Sequence, residues 1–283
     1  MYDMTDVHKA NLAVLKEIDR ICRKYRLKYL LDAGTLIGAV RHQGFIPWDD
    51  DADVAMTRAN FDAFLKVAPR ELPEGMELVM PGQFHGGQGF YDFTPRIIYK
   101  NSRTHAEDEE MAFYDGKLNH LWVDLFVLDG LPDSRLGAAA AKGMQTAVYG
   151  LAMGHRFHLD YKKYPPVQRI AVGVLAGIGR LMPLSWIMKL QRACARMTRK
   201  KKTKRLYYSN YQPAYLYVTL ERQWSEDTVD LPFEDTFLMC PSGWHQVLTW
   251  VYGDYRQLPP EEKRVPTHST VEIQVFSDES PKS

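Results

Sequence analysis

The spacing of apolar side chains along the chain predicts helices that alternate with short buried strands. Residues 7–26 repeat an apolar side chain every three or four positions, which is the period of an amphipathic helix. The apolar run 29–31 predicts a buried strand, and helical spacing resumes at 35–41 after an Asp-Ala-Gly turn. The same reasoning predicts two further helices, at 58–67 and 241–252. It also predicts two further strands, at 96–99 and 121–128.

Residues 135–206 differ in composition from the segments around them. They are rich in alanine, with an apolar stretch at 170–190 and seven basic side chains between 196 and 205. Arg180 and Pro183 interrupt the apolar stretch, and a central arginine is costly inside a bilayer, so we do not expect a membrane span. An apolar helix beside a basic run is what peripheral contact with an anionic membrane requires. The alternative is a core helix followed by a solvated basic face.

The overall composition is that of an ordinary soluble globular protein. Of the 283 residues 45% are hydrophobic, and 36 Lys and Arg balance 35 Asp and Glu. These values exclude a disordered chain, a collagen-like fibre and a globally basic nucleic-acid coat. The three cysteines include no CxxC pair, which predicts neither a disulfide framework nor a cysteine zinc site. The first six residues carry acids and no apolar core, so we expect no signal peptide and a cytoplasmic location.

Four aspartates among the five residues 49–53 form the most unusual local charge pattern. Packing them together is unfavourable unless a cation or several donors offset their repulsion, and a solvated acidic turn is the ordinary alternative. The run is bounded by Trp48 and by the apolar residues 54–56, which ties it to buried structure. On a strand, Asp51 and Asp53 would point to one face. Two carboxylates together with substrate phosphates are a ligand set that suits Mg²⁺.

Two further positions extend this prediction. Asp124 is a lone acid in an apolar strand and needs a partner there. It is either a strand-end aspartate that caps a neighbouring helix, or a third metal ligand or base. Gly34 and Thr35 follow a strand and begin a helix, where backbone N–H groups and the helix dipole favour phosphate, although an ordinary turn has the same pattern. Together these residues predict a phosphate site facing a carboxylate metal site.

Residues 34–53 resemble the signature of the LicD family, whose members are phosphocholine and related phospho-group transferases; the fukutin-related transferases are relatives. In this chain they read Gly-Thr-Leu-Ile-Gly-Ala-Val-Arg-His-Gln-Gly-Phe-Ile-Pro-Trp-Asp-Asp-Asp-Ala-Asp. Residues 123–130 are similar to the family's second acidic strand. Residues 252–255 and 258–260, with Arg264, resemble its C-terminal block. The resemblance therefore reaches the beginning, middle and end of the chain.

The resemblance implies an α/β (α+β) fold with a nucleotidyltransferase-like mixed sheet flanked by helices. The catalytic core would occupy residues 1–134. A helical insertion with the basic run would occupy 135–206, and a C-terminal part packing back on the core would occupy 207–283.

The resemblance also implies the catalytic groups. Asp51, Asp53 and Asp124 would be catalytic and would hold Mg²⁺, with Mn²⁺ as an alternative. Asp49 and Asp50 match the family's acidic run and would support them. The chain has Ala52 where the commonest family pattern has isoleucine, which leaves the acids intact.

The implied reaction moves a phospho-alcohol group, phosphocholine above all, from CDP-choline or another CDP-alcohol to a hydroxyl of a glycan or teichoic-acid precursor, and CMP leaves. Arg41 and His42 would contact phosphate or else pack at a surface or helix end. Trp48 would stack on cytosine or choline, or else brace the acidic turn. The full set of predicted substrate-binding residues is Gly34, Thr35, Arg41, His42, Trp48, Arg96 and His268.

Two other functions stay open at this point. The same fold suits a nucleotidyltransferase that moves NMP from an NTP and releases pyrophosphate. A non-catalytic scaffold at the inner face of the membrane would use only the basic run. We expect no nucleic-acid partner, because no aromatic stacking motif accompanies the basic side chains.

Overall fold

In a computed structural model, which describes residues 3–266 and 273–276, a mixed β-sheet is flanked by helices, and this confirms the predicted α/β class. The helices are α1 (Thr5–Lys24), α2 (Ala33–His42), α3 (Arg58–Glu71), α4 (Glu109–Phe113), α5 (Arg135–Ala152), α6 (Pro166–Arg180), α7 (Leu184–Ala195), α8 (Arg222–Ser225) and α9 (Trp244–Tyr252). The strands are β1 (Leu30–Leu31), β2 (Ala52–Thr57), β3 (Met76–Val79), β4 (Arg96–Tyr99), β5 (Ser102–Arg103), β6 (Leu121–Leu131), β7 (Arg205–Tyr208), β8 (Thr219–Glu221), β9 (Thr228–Phe233), β10 (Thr236–Pro241) and β11 (Gln274–Val275).

Strand β6 is the centre of the sheet, in which the strands follow the order β1-β2-β6-β4-β3. β2 runs parallel to β6, whereas the other pairs are antiparallel. The eleven residues of β6 are long enough to pair with β4 at their beginning and with β7 at their end, and β8 then pairs with β7. The predicted boundary at residue 206 falls inside β7, and the division of the chain into three parts stays a prediction.

One face of the sheet is covered by α1 and α3. The apolar stripe of α1, including Leu15 and Ile18, is fully buried in one cluster with inward-facing residues of β2 and β6. α1 begins at Thr5 rather than at residue 7. α3 runs four residues beyond the prediction, to Glu71, although Pro69 removes one of its hydrogen bonds. Tertiary packing holds that last turn, because the neighbouring Ala68 is buried in the same cluster.

Glu71 joins the end of α3 to α1. Its carboxylate accepts hydrogen bonds from Lys24 Nζ at 2.8 and 2.9 Å, from the Tyr25 hydroxyl at 2.6 Å and from Arg20 at 3.3 Å. These hydrogen bonds, the ones from Lys24 above all, lower the pKa of Glu71 to about 2.

Helices α5, α6 and α7 form a second buried cluster beside the sheet. α5 and α6 approach closely because glycines lie at their contact. A Cβ atom on Gly179 of α6 would collide with the carbonyl group of Leu151 in α5. A Cβ atom on Gly154, just after α5, would collide with the carbonyl oxygen of Ala176 in α6. One face of α6 is therefore packed closely against α5.

Within the described residues, no single helix has the length and apolar character needed to cross a bilayer. Among residues 3–266 and 273–276, α6 and α7 taken together reach that length and composition, and their axes are bent by 118° at the break between them.

Candidate active site

Three charged side chains lie in one row across the central strands. Asp53 of β2 is the register partner of Asp124 of β6, and Asp124 is in turn the partner of Arg96 of β4. Paired positions on neighbouring strands project from the same face of a sheet. The parallel register of β2 on β6 therefore brings together two aspartates that are 71 positions apart in the chain. Asp51 precedes β2, which begins at Ala52, so the predicted strand placement holds for Asp53 but not for Asp51.

The backbone of the acidic segment is held by α1. The ring nitrogen Nε2 of His8 donates to the carbonyl oxygen of Asp49 at 2.8 Å. Asn11, which is buried on the same helix, donates from Nδ2 to the carbonyl oxygen of Asp50 at 3.4 Å. These contacts fix the path of the chain into β2. His8 and Asn11 carry no sequence signal for this role beyond their place in an amphipathic helix.

Thr35 holds the same segment from α2. Its hydroxyl oxygen accepts a hydrogen bond of 2.9 Å from the backbone N–H of Asp53, and its side chain is buried. The structure therefore shows Thr35 in contact with the segment that carries the acids. Its predicted contact with substrate stays a prediction.

Gly34 lies in the first turn of α2, which begins at Ala33 rather than at residue 35. A Cβ atom at Gly34 would lie 2.5 Å from Oδ2 of Asp49, so the absence of a side chain lets that carboxylate approach the helix. Asp32, just before α2, accepts a hydrogen bond of 2.9 Å from the hydroxyl of Tyr208. Burial raises the pKa of Asp32 to about 6. In the sequence, Asp32 stands out only as the first residue of the Asp-Ala-Gly turn.

Two aspartates of the site, Asp53 and Asp124, have raised pKa values. Burial raises the pKa of Asp53 well above its ordinary value, and the charges of Asp51 and Asp124 raise it further. Burial also raises the pKa of Asp124, and the charge of Arg96 partly offsets that shift. The site thus concentrates negative charge where solvent stabilises it poorly, which favours binding of a cation.

Arg96 is almost fully enclosed by the groups it contacts. It is 2% exposed, donates from Nε to Asp124 Oδ1 at 3.0 Å and donates from its terminal nitrogen to Asp92 Oδ2 at 2.8 Å. Its guanidinium also lies 4.8 Å from the ring centre of Trp122 and 5.2 Å from that of Tyr91. Arg96 therefore positions Asp124, and its predicted contact with phosphate stays a prediction.

The acids open into a cavity of about 160 Å³. Trp122 and Phe126 lie two residues before and after Asp124 on β6, so strand alternation places all three on one face. Loops distant in the sequence contribute other residues, which no sequence pattern marked. The aromatic and imidazole side chains in the lining are Tyr91, His105, His120, Trp122, Phe126 and Tyr211, and the aspartates are Asp50, Asp51, Asp53, Asp92 and Asp124.

Arg41 and His42 lie at the end of α2, in contact with the C-terminal part of the chain. A terminal nitrogen of Arg41 donates to the carbonyl oxygen of Tyr255 at 3.1 Å, and its Nε donates to Nε2 of His42 at 2.9 Å. Burial and the neighbouring charge of Arg264 lower the pKa of Arg41. These positions agree with the helix-end alternative, and a contact with phosphate stays a prediction.

Trp48 packs partly buried against the main core, and the guanidinium of Arg264 lies 5.5 Å from its ring centre. The ring of His42 meets it edge-on, with centroids 6.4 Å apart. Trp48 thus joins the acidic motif to the C-terminal block, which agrees with the bracing alternative. His268, the remaining predicted substrate contact, lies outside the described residues.

Within residues 3–266 and 273–276, no three His, Cys, Asp or Glu side chains are already gathered in an arrangement that would hold a metal ion. One oxygen of Asp124 is engaged by Arg96. The charge of Asp51, however, raises the pKa of Asp53, and both residues line the cavity. Two carboxylates completed by substrate phosphates are a sufficient donor set for Mg²⁺. The residues present therefore fit a metal shared with the substrate rather than a cage built by the protein alone.

The chain is similar in sequence to a known family and to known proteins. Residues 26–127 match the family model described as LicD/FKTN/FKRP, nucleotidyltransferase domain. The chain is 28% identical over 276 residues to the lipopolysaccharide cholinephosphotransferase LicD of Haemophilus influenzae, and the match covers 91% of this chain and 92% of that protein. The chain therefore resembles the LicD family, through its nucleotidyltransferase domain and, at lower identity, along most of its length. The resemblance inferred from the sequence is thereby confirmed.

Two shorter similarities cover only part of the chain. An uncharacterized protein of Rickettsia typhi is 39% identical over 57 residues, which are 20% of this chain and 18% of that protein. An uncharacterized protein of Rickettsia prowazekii is 46% identical over 43 residues, which are 15% of this chain and 16% of that protein. The LicD-family model spans β1 to the middle of β6 and so includes Asp51, Asp53, Arg96 and Asp124.

Proposed function

We propose that this protein transfers phosphocholine from CDP-choline, or a related group from another CDP-alcohol, to a hydroxyl of a cell-surface glycan and releases CMP. The observation that carries the proposal is the pair Asp53 and Asp124, side by side in an aromatic-walled cavity. Support comes from the similarity of nine-tenths of the chain to a lipopolysaccharide cholinephosphotransferase. A lipopolysaccharide precursor on the cytoplasmic side is the acceptor we favour, and a teichoic-acid precursor is the alternative.

In the proposed reaction an oxygen–phosphorus bond forms between the acceptor hydroxyl and the phosphate that bears choline. The bond from that phosphorus to the bridging oxygen breaks, and CMP departs with the electron pair. Asp124 is the residue we assign as the base. Its side chain is 20% exposed and lines the cavity, while Arg96 holds one of its oxygens in place. Burial raises its pKa, which makes its carboxylate a better proton acceptor than an ordinary aspartate.

Asp51 and Asp53 are the residues that would hold Mg²⁺, or Mn²⁺ in its place, and the ion would neutralise charge on the donor's diphosphate. The protein's own contribution is to fix these acids before substrate binds. Thr35 anchors the backbone of Asp53, and His8 and Asn11 anchor the residues before it. Such preorganisation avoids rearrangement of the site during the reaction.

The composition of the cavity wall supports choline as the transferred alcohol. Aromatic rings attract quaternary ammonium groups, and carboxylates nearby add to that attraction. Trp122, Phe126 and Tyr211 provide rings next to Asp53 and Asp124. The glycerol and ribitol groups carry no positive charge, so this wall would attract them less strongly.

The test is release of CMP by the purified protein from CDP-choline and Mg²⁺, with a glycan acceptor from a lipopolysaccharide core. We expect Asp53→Asn and Asp124→Asn each to reduce the rate by about a hundredfold or more, with the folded structure retained. The matched control is Asp235→Asn, because Asp235 is an exposed acid that pairs with Lys16 and does not line the cavity. CDP-ethanolamine, CDP-glycerol and CDP-ribitol tested in parallel identify the preferred alcohol.

The alternative reaction has a distinct product. Release of pyrophosphate from an NTP, with label from its α-phosphate on the acceptor, would select NMP transfer instead. Failure to bind any CDP-alcohol in the presence of metal would overturn the proposal. Activity that survives both aspartate substitutions would overturn the assignment of the site.

A further inference from the structure

Helix α6 presents an apolar stripe that the rest of the described chain leaves uncovered. Ile170 is 72% exposed and Leu181, which directly follows the helix, is 87% exposed. At 100° per residue the side chains of the stripe fall within an arc of about 80°. The members of this stripe are Val167, Ile170, Val174, Ile178 and Leu181.

The opposite face of α6 packs against α5. Ala176 and Gly179 are buried, and Gly179 touches the backbone of α5 so closely that a Cβ atom would collide. The stripe therefore cannot turn inward without breaking the contact between α5 and α6. A nearby exposed indole, Trp186 of α7, adds to the uncovered apolar surface.

The charge of this region is strongly one-sided. Between residues 161 and 220 the chain has 13 Lys and Arg and no Asp or Glu, whereas the rest carries the other 23 Lys and Arg and all 35 Asp and Glu. Lys162 and Lys163 lie just before α6, Arg169 lies in its first turn and Arg180 at its end, and all four are exposed. The basic residues of 196–205 follow α7. Exposed apolar side chains flanked by cations complement an anionic lipid surface, since the chains enter the interface while the cations meet the head groups.

We propose that the stripe of α6 docks this protein on the surface of an anionic bilayer, with the five apolar side chains inserted at the head-group boundary. The contact is peripheral. It goes beyond the transfer reaction and does not depend on it, but it would hold the protein where lipid-linked acceptors are found.

The test is flotation of the purified full chain with vesicles, in the absence of any substrate. Vesicles of phosphatidylcholine are compared with vesicles in which about one third of the lipid is phosphatidylglycerol. We expect binding to the anionic vesicles, and weakening of that binding as salt is raised. The double substitution Ile170→Gln and Ile178→Gln should reduce partitioning by about tenfold or more, because it removes buried apolar area. Phe237→Gln is the matched control, since Phe237 is 59% exposed on β10, outside the stripe.

Circular dichroism melting checks that the double variant is folded, which we expect because both side chains are exposed. Equal flotation of the wild type and the double variant would overturn the proposal, as would equal binding to neutral and anionic vesicles. A second copy of the chain is the competing occupant of the stripe. Light scattering without lipid should show a monomer, and a dimer that the double substitution dissociates would overturn membrane docking in favour of self-association.

Discussion

Replacing Arg96 by methionine should destabilise the protein by about 3–5 kcal/mol, the cost of leaving a buried ion pair with one partner missing. The structure supports the high end of this range. Arg96 is 2% exposed, it bridges Asp92 and Asp124 at 2.8 and 3.0 Å, and its guanidinium also stacks near two aromatic rings. The substitution therefore strands two carboxylates. Because single domains are stable by roughly 5–15 kcal/mol, a large share of the total would be lost.

The assay is urea unfolding followed by far-ultraviolet circular dichroism, which avoids the fluorescence of the nearby Trp122. Arg96→Lys keeps the charge but cannot donate to both aspartates in a fixed fork, so we expect a smaller loss of about 2 kcal/mol. Arg103→Met is the matched control. Arg103 forms an exposed pair with Glu107, and its loss should cost less than about 1 kcal/mol.

The pH dependence gives an independent check. Without the guanidinium, the pKa of Asp124, which burial already raises, should rise further. An acid whose pKa is higher in the folded than in the unfolded state destabilises the fold when it is ionised, and this cost decreases as pH falls. The deficit of Arg96→Met should therefore shrink as pH is lowered below neutral. A loss under about 1 kcal/mol at neutral pH, or a deficit that grows on acidification, would refute the reasoning.

Three further outcomes can be measured by the same unfolding assay. Thr35→Val should lower the free energy of unfolding by about 2 kcal/mol, because it leaves the buried N–H of Asp53 without its acceptor. Thr35→Ser keeps the hydroxyl and should cost much less, so equal losses for the two variants would contradict this. Gly179→Ala should destabilise by about 1–3 kcal/mol through its collision with α5, while Gly177→Ala, which meets open space, should be neutral or stabilising. Glu71→Gln should lower stability near neutral pH. The difference in unfolding free energy from the wild type should vanish as pH falls through about 2, the pKa of Glu71 in the folded protein. A difference that stays constant with pH would count against the hydrogen-bonded cluster.

The local elements followed closely from the sequence. The 3.6-residue period located α1, α2 and α3, and the apolar runs located β1, β4 and β6, with errors of a few residues at their ends. Those errors have a physical origin. Local propensity does not contain the packing energy that extends α3 past Pro69, since that energy comes from contacts with the sheet.

The candidate site was predictable in its acids but not in their surroundings. A lone acid inside an apolar strand requires a partner, which made Asp124 conspicuous. The sequence contained no information that its cationic partner is Arg96, or that Tyr211 would help to line the same cavity. These residues come together through strand register and loop placement, and periodicity along one segment does not encode either.

By itself, the sequence determined the resemblance to the LicD family, the identity of the acids and the separation of basic from acidic segments, because motif, side-chain chemistry and charge are properties of the chain alone. Only the tertiary structure decided which groups face each other. The register of β2 on β6 placed Asp53 beside Asp124, and the close packing of α5 on α6 determined which face of α6 stays exposed. Both outcomes depend on contacts between residues distant in the chain, and the free energy of those contacts exists only once the fold has formed.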